Sequence, residues 1–231
     1  MSLHELEALR DQTRVFRDRS HAGHVLGEML VAHRGSGARV LAIPAGGLPV
    51  AAPLARLLGL PLDVAVVSKI TLPWNTEVGY GAVAFDGTVR LNERLLSGLD
   101  MSEDEVRLGI EETSDKVRRR VHALRGSDDA PEVADCDVLL VDDGLASGFT
   151  MLTAAEALRG AGARSVVVAV PTGSPRALDG LRGMVDTIFC ANVRGGSSFA
   201  VADAYEDWSD VTEPQALDIL RRVREESPRT A

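Results

Sequence analysis

The stretch that most constrains this chain is Val138-Leu-Leu-Val-Asp142-Asp143-Gly144-Leu-Ala146-Ser147-Gly148-Phe149-Thr150-Met151. Its opening run of consecutive apolar residues suits a strand covered on both faces, the environment of a parallel sheet. The run ends in two carboxylates, and a Gly/Ser/Thr loop then opens directly into a helical pattern. A buried strand that feeds a helix is half of a βαβ unit, which requires helices packed on a mostly parallel sheet. The same rhythm recurs along the chain. Strands are predicted at Arg39–Ile43, Asp63–Ser68, Asp137–Asp142, Ser165–Val170 and Val185–Cys190. Crossover helices are predicted at Leu48–Leu58, Met151–Arg159 and Pro175–Leu181, with Gly59 and Gly160 where C-caps belong. The expected fold is therefore α/β, a mostly parallel sheet of about five strands flanked by helices.

Two segments interrupt the rhythm. Lys69 to Gly87 carries three glycines, Pro73, Trp74 and Asn75 without a helical period, and is expected to be a long lid or binding loop. Ser102 to Arg125 is a highly charged helix, with Ser102 as N-cap and Glu105 placed to close a capping box. A last helix, Glu213 to Glu225, precedes a Ser-Pro tail. The whole of 1–231 reads as one domain, with residues 213–231 as its C-terminal helix and tail.

Composition narrows the function classes. The 34 acidic and 25 basic side chains give a formal net charge of −9. That balance lacks the electrostatic footprint of a nucleic-acid binder or of a protein on an anionic membrane. No apolar run approaches the roughly 20 residues of a membrane span. Met1 to Arg19 has no signal-peptide core, and Cys136 and Cys190 have no metal-ligand spacing. A cytoplasmic protein with two reduced thiols is expected. His21 and His24 lie on one predicted helix without a third ligand, and read as ordinary surface or core histidines.

The long string has a chemical use. The loop and first helical turn present backbone amides at the positive end of a helix dipole, which suits a phosphate. Ser147 and Thr150 add hydroxyl donors, and Gly148 admits close approach of an anion. Asp142 and Asp143 would repel a phosphate, so they make sense facing ligand hydroxyls or a Mg²⁺ ion brought by the same ligand. The carboxyl end of a parallel strand is also where open α/β sheets bind ligands.

This string resembles the phosphoribosyl-pyrophosphate (PRPP) signature of the type I phosphoribosyltransferases. Phe16-Arg-Asp-Arg-Ser-His-Ala-Gly23, Ile43-Pro-Ala-Gly-Gly-Leu-Pro-Val-Ala51, Ser68-Lys-Ile through Glu77 to Gly81-Ala-Val, Arg119-Arg120, Val170-Pro171 and Tyr205-Glu-Asp-Trp208 extend the resemblance to a microbial branch of that family, over about Val15 to Glu213. The resemblance implies a small hood over the sheet, built from the N-terminal segment and about residues 191–212, and a homodimer in which Arg119 and Arg120 reach a neighbouring site. It implies that Asp142 and Asp143 hold the ribose hydroxyls with Mg²⁺ nearby, directly or indirectly. Ala146, Ser147, Gly148, Phe149 and Thr150 would bind the 5′-phosphate. Ala45, Gly46 and Gly47 would bind pyrophosphate, in a loop that commonly contains a non-proline cis peptide. Lys69 would contact phosphate from a loop that closes over the reacting centre. Phe199, Tyr205 and Trp208 would face the base, with Asp203 or Asp207 accepting from an amino group. Three departures stand out: Ala45 replaces the branch's usual arginine, Thr71–Thr76 lacks its Gly-rich Asn-Pro form, and Ala146 replaces the Asp of hypoxanthine–guanine enzymes.

The implied activity is transfer of the phosphoribosyl group from Mg–PRPP to a small nitrogenous acceptor, with release of pyrophosphate and no side-chain nucleophile. Two other classes remain open: a non-catalytic PRPP or nucleotide-binding regulator of the same fold, and a phosphosugar hydrolase in which Asp142, Asp143 and Mg²⁺ activate water.

Overall fold

The structure, a computed structural model, describes residues 2–196 and 198–226. Its strands and helices in chain order are β1 (Ser2–His4), α1 (Arg19–Met29), β2 (Arg39–Ala42), α2 (Leu48–Leu58), β3 (Leu62–Val64), β4 (Val67–Leu72), β5 (Asn75–Ala84), β6 (Val89–Leu91), α3 (Glu93–Leu96), α4 (Glu103–Arg125), β7 (Asp137–Val141), α5 (Phe149–Gly160), β8 (Ser165–Gly173), α6 (Pro175–Gly180), β9 (Thr187–Val193) and α7 (Glu213–Glu226).

Six strands form the central sheet in the order β1-β9-β8-β7-β2-β3, and every neighbouring pair is parallel. The continuous apolar runs find their reason here. Leu139 and Val141 of β7 point into a layer with Leu26, Leu48, Leu54 and Leu58 of α1 and α2. Val138 and Leu140 point into the opposite layer, with Met151 and Leu158 of α5 and Leu178 of α6. Side chains alternate along a strand, so a sheet covered on both faces needs apolar residues at every position.

Helix ends follow local chemistry. Ser102 and Glu105 form the expected capping box at α4. Gly59 closes α2 in the left-handed region at φ 64°. At α5 the helix runs through Gly160, and the left-handed position falls to Gly162 at φ 88°.

The sheet has six strands rather than about five, because β1 adds three exposed residues at its edge, parallel to β9. Asp63–Ser68 is not one strand. The chain leaves the main sheet after β3 and enters a separate antiparallel sheet of β4, β5 and β6. The expected loop at 69–87 is mostly this antiparallel ribbon, with irregular register at Ile70, Thr71 and Leu72. Gly81 serves close strand contact, since a Cβ there would lie 2.7 Å from the Arg90 carbonyl oxygen.

The N-terminal segment zips onto the end of β9 and the chain that follows it, the two stretches assigned to a hood. Leu6 N–H donates to Ala191, Asp11 to Val193, Arg14 to Asp203 and Phe16 to Ala204, while the amides of Glu206 and Asp207 donate to Phe16 and Arg17. Among the described residues, no helix is long and apolar enough to cross a membrane.

Candidate functional site

Asp142 and Asp143 follow the last residue of β7, at the carboxyl edge of the sheet. The chain then crosses toward β8: Leu145 N–H donates to the Thr172 carbonyl, and Ser174 N–H to that of Leu145. Gly148, at φ 80°, turns it into α5. The Leu152 amide bonds back to Gly148, so the amides of the first turn, Phe149 to Met151, have no partner within the helix. Ala146 and Ser147 are exposed beside them. The five predicted phosphate-loop residues thus form one turn at a helix N-terminus, exposed at Ala146 and Ser147 and half-buried at Phe149 and Thr150, where an anion is favoured.

The β2–α2 loop lies directly against the acidic pair. A Cβ on Gly46 would sit 2.2 Å from Asp143 Oδ2, and one on Gly47 would sit 2.6 Å from the Ile43 carbonyl oxygen and 2.7 Å from that of Val141. Only glycine fits at either position. The Pro44–Ala45 peptide in this loop is cis.

Sequence reasoning passed over Arg19. It is only 8% exposed; its Nε donates to Asp143 Oδ2 at 2.9 Å, and its Nη1 donates to the Ser209 carbonyl at 2.7 Å. Its guanidinium carbon lies 3.7 Å from the Trp208 ring centroid. The one available signal was its place in the Phe16–Gly23 string. Gly144 was also missed: Val201 packs so close that a Cβ there would meet its Cγ1 at 2.4 Å.

Burial and the neighbouring Asp143 charge push the Asp142 carboxyl well above the usual range. Burial also raises Asp143, with the Arg19 charge and hydrogen bond opposing it. Asp142 Oδ1 accepts from the Asp143 amide at 2.9 Å.

The predicted base-facing residues divide. Tyr205 is 3% exposed, and its hydroxyl donates to the Asp143 carbonyl at 2.6 Å. Burial pushes its phenol well above its ordinary value. Tyr205 therefore braces the acidic loop instead of presenting a face to a ligand. Trp208 is half-buried between Tyr205 and Arg19. Phe199 is half-buried with Arg194 over its ring at 4.9 Å. Asp203 lies 3.4 Å from Arg194, so its carboxylate already has a cation. Asp207 is exposed.

Lys69 lies on the antiparallel ribbon. It projects from β4 into a different cleft of about 320 Å³, lined by Thr71, Thr76, Glu112, Thr113 and Lys116. Arg120 turns inward within its own chain, toward Ser68 at 3.4 Å and Glu213 at 3.5 Å, while Arg119 is exposed. His21 Nδ1 accepts the Arg17 amide and His24 lies against the Ser20 carbonyl, both local helix contacts. Cys136 and Cys190 are free thiols, and burial pushes Cys190 up to about 12.

The profile of the phosphoribosyl transferase domain matches residues 30–203, a span holding the β2–α2 loop, the hairpin and the acidic string. The chain belongs to the phosphoribosyl transferase domain family. It is 35% identical to the Thermus thermophilus protein TT1426, whose crystal structure superposes with a TM-score of 0.71 over 90% of this chain and 98% of that one. A Mycobacterium tuberculosis protein, provisionally named a phosphoribosyl transferase in strains H37Rv and CDC 1551, is 30% identical over 91% of this chain. This chain spans only 47% of that relative's length.

Proposed function

We propose that this phosphoribosyl transferase family member binds Mg–PRPP and transfers its phosphoribosyl group to a nitrogenous base, releasing pyrophosphate. The observation that carries the reading is the junction of three parts at one sheet edge. A turn of helix-N-terminal amides exposed at Ala146 and Ser147, a half-buried acidic pair and a glycine loop packed on that pair match the three ends of PRPP: 5′-phosphate, ribose hydroxyls and pyrophosphate.

Asp142 and Asp143 are the residues that would hold Mg²⁺. Among the described residues there is no cluster of three or more potential metal ligands. Two carboxylates suit a cation that keeps several waters and takes further oxygens from a diphosphate. When bound, it supplies charge neutralisation for the leaving pyrophosphate.

The chain's own part is positioning and electrostatics. The amides of 146–150 fix the 5′-phosphate, and the acidic pair orients the ribose. The loop of Ala45, Gly46 and Gly47 receives pyrophosphate on its Ala45 and Gly46 amides, where negative charge develops at the transition state, while the Gly47 amide is bonded to the Ile43 carbonyl. The β4–β5 ribbon with Lys69 closes over the reacting centre and excludes water. We assign the base to the Phe199–Trp208 side, with Phe199 and Trp208 offering the half-buried rings. The working form is a cytoplasmic homodimer.

Ala45, which brings no charge to the pyrophosphate loop, favours a second reading as a PRPP or nucleotide binder without turnover. Thermal melting with PRPP, with and without Mg²⁺, tests the site. Ligand at a hundred times its dissociation constant adds about 2.7 kcal/mol of stability. The expected result is a Mg²⁺-dependent shift that Asp142→Asn/Asp143→Asn abolishes; no shift in the wild type overturns the reading. Base-dependent pyrophosphate release separates the transferase from the binder. Base-independent release of ribose phosphate would instead mark a hydrolase.

A further inference from the structure

The acidic pair is not symmetric. Asp143 is held from three sides. Arg19 Nε donates to its Oδ2, the Gly46 backbone packs on the same oxygen, and the Tyr205 hydroxyl binds its peptide carbonyl. Arg19 is itself pinned by the Ser209 carbonyl and the Trp208 ring. One planar fork thereby ties the start of α1, the acidic loop and the 205–209 segment together, which a lysine's point charge cannot do. Asp142 has a different set of partners. Its Oδ1 takes the Asp143 amide, and it makes no ion pair among the described residues, whereas Asp143 pairs with Arg19 at 2.9 Å.

We propose that the two carboxylates do different jobs: Arg19 is a positioning residue that holds Asp143 inward as the brace of the glycine loop, leaving Asp142 as the carboxylate that meets the ribose hydroxyls or their divalent cation. The proposal rests on the reading of the acidic pair as the ligand-facing group. If both carboxylates served the ligand equally, Asp143 would have to leave Arg19, stranding a buried guanidinium without its counter-charge.

The test is Mg²⁺-dependent PRPP affinity, measured by calorimetry on the full chain, for wild type, Asp142→Asn, Asp143→Asn, Arg19→Gln and the double variant Arg19→Gln/Asp143→Asn. Asp142→Asn is expected to lose measurable binding, while Asp143→Asn weakens it about tenfold. Arg19→Gln is expected to weaken it about 10- to 100-fold, the usual cost of removing a partner that orients a ligating group. The double variant should recover to the level of Asp143→Asn, because no unpaired buried carboxylate is left beside Asp142. A merely structural arginine would not give that recovery, since its loss would add to the loss of Asp143.

Equal loss in Asp142→Asn and Asp143→Asn overturns the division of labour, as does wild-type affinity in Arg19→Gln or a double variant weaker than either single. Should Arg19→Gln fail to fold, the double variant decides alone: folding and binding regained support the proposal, and an unfolded double variant overturns it. A wild type that Mg–PRPP does not bind overturns this inference and the functional reading together. A wild type that binds, with variants failing in the stated ways, overturns this inference only.

Discussion

The two ends of β7 carry the same residue type in opposite circumstances. Asp137 opens the strand and is satisfied by its own surroundings: Arg164 donates from Nε at 2.9 Å and from Nη2 at 2.5 Å, and Ser165 from Oγ at 2.6 Å. Those donors hold its carboxyl down to about 2. Asp142 follows the last residue of the strand and is half-buried beside a second carboxylate; desolvation and then that neighbouring charge push it well above the usual range. A carboxylate that the fold needs for stability is paired where it stands. One whose charge the fold disfavours marks a place where an incoming group can supply what is missing.

The largest break in that comparison should come from the two arginines. Arg19→Gln leaves the Asp143 carboxylate buried without its partner, and removing one member of a buried pair costs about 3–5 kcal/mol. Arg164, with its side chain 63% exposed, makes a surface pair of the kind that contributes little. Arg164→Gln should therefore cost no more than about 1 kcal/mol in a urea titration, well short of the loss from Arg19→Gln. Equal shifts in the two midpoints would erase the contrast between the ends.

Acid and base titration of stability separates the ends next, with opposite signs. The raised Asp142 means that the folded chain keeps a proton the unfolded chain has released. Stability from this group is full below the unfolded value and falls as pH rises through the folded one. Asp142→Asn should therefore raise the ligand-free melting temperature at neutral pH and flatten its decline above the carboxylate range. Asp137 runs the other way. Its contribution is present above the ordinary value of 3.8 and is lost as pH falls through about 2. Asp137→Asn should lower the melting temperature at neutral pH and change nothing in strong acid. Melting curves across pH that moved the same way in both variants would contradict the assignment.

Glycine substitutions sharpen the comparison on a smaller scale. At the carboxyl end, Gly47→Ala would press a methyl into two backbone carbonyl oxygens at 2.6 and 2.7 Å, and overpacking of this kind costs about 1–3 kcal/mol. In the linker that feeds the amino end, Gly126 sits at φ 77° with nothing within 4 Å of a built Cβ. Gly126→Ala meets only the left-handed backbone penalty, about 1 kcal/mol. Gly47→Ala should also weaken Mg–PRPP binding in calorimetry, whereas Gly126→Ala should not.

What the sequence made legible follows from range. α2, α4 with its capping box and the β7–loop–α5 string are encoded by residues within a few positions of each other, and those elements match the expectation. The Asp63–Ser68 error has a different origin. Ala65 and Val66, between β3 and β4, are both fully buried, so no change of pattern marks where the chain passes from one sheet to another. Gly79, Gly81 and Pro73 read as loop signals, yet Gly81 is there because two strands approach closely. β1 is three exposed residues whose strand partner among the described residues is β9, more than 180 positions along the chain. At the site, the residues bearing amides and carboxylates were legible because they are consecutive. Arg19 was not, because its contact with Asp143 spans 124 positions. Tyr205 looked like a ligand-facing ring for the same reason: nothing local shows that its hydroxyl is spent on the Asp143 carbonyl.

That hydroxyl supplies the smallest effect and the finest division between the ends. Tyr205→Phe keeps the packing of the ring against Phe16 and Trp208 and removes one donor from a part-buried carbonyl, a loss of about 1 kcal/mol. At the other end, Ser165→Ala also removes one short hydrogen bond, but Arg164 continues to serve both oxygens of Asp137, so a smaller change in urea midpoint is expected. The two variants should then part in function as well as stability. If the Tyr205 brace holds the acidic loop in register with the glycine loop, Tyr205→Phe weakens Mg–PRPP binding a few-fold while Ser165→Ala leaves it unchanged. A Tyr205→Phe protein that loses stability yet binds like the wild type would show that Arg19 and Gly46 alone hold Asp143, and would reduce Tyr205 to a packing residue of the C-terminal segment.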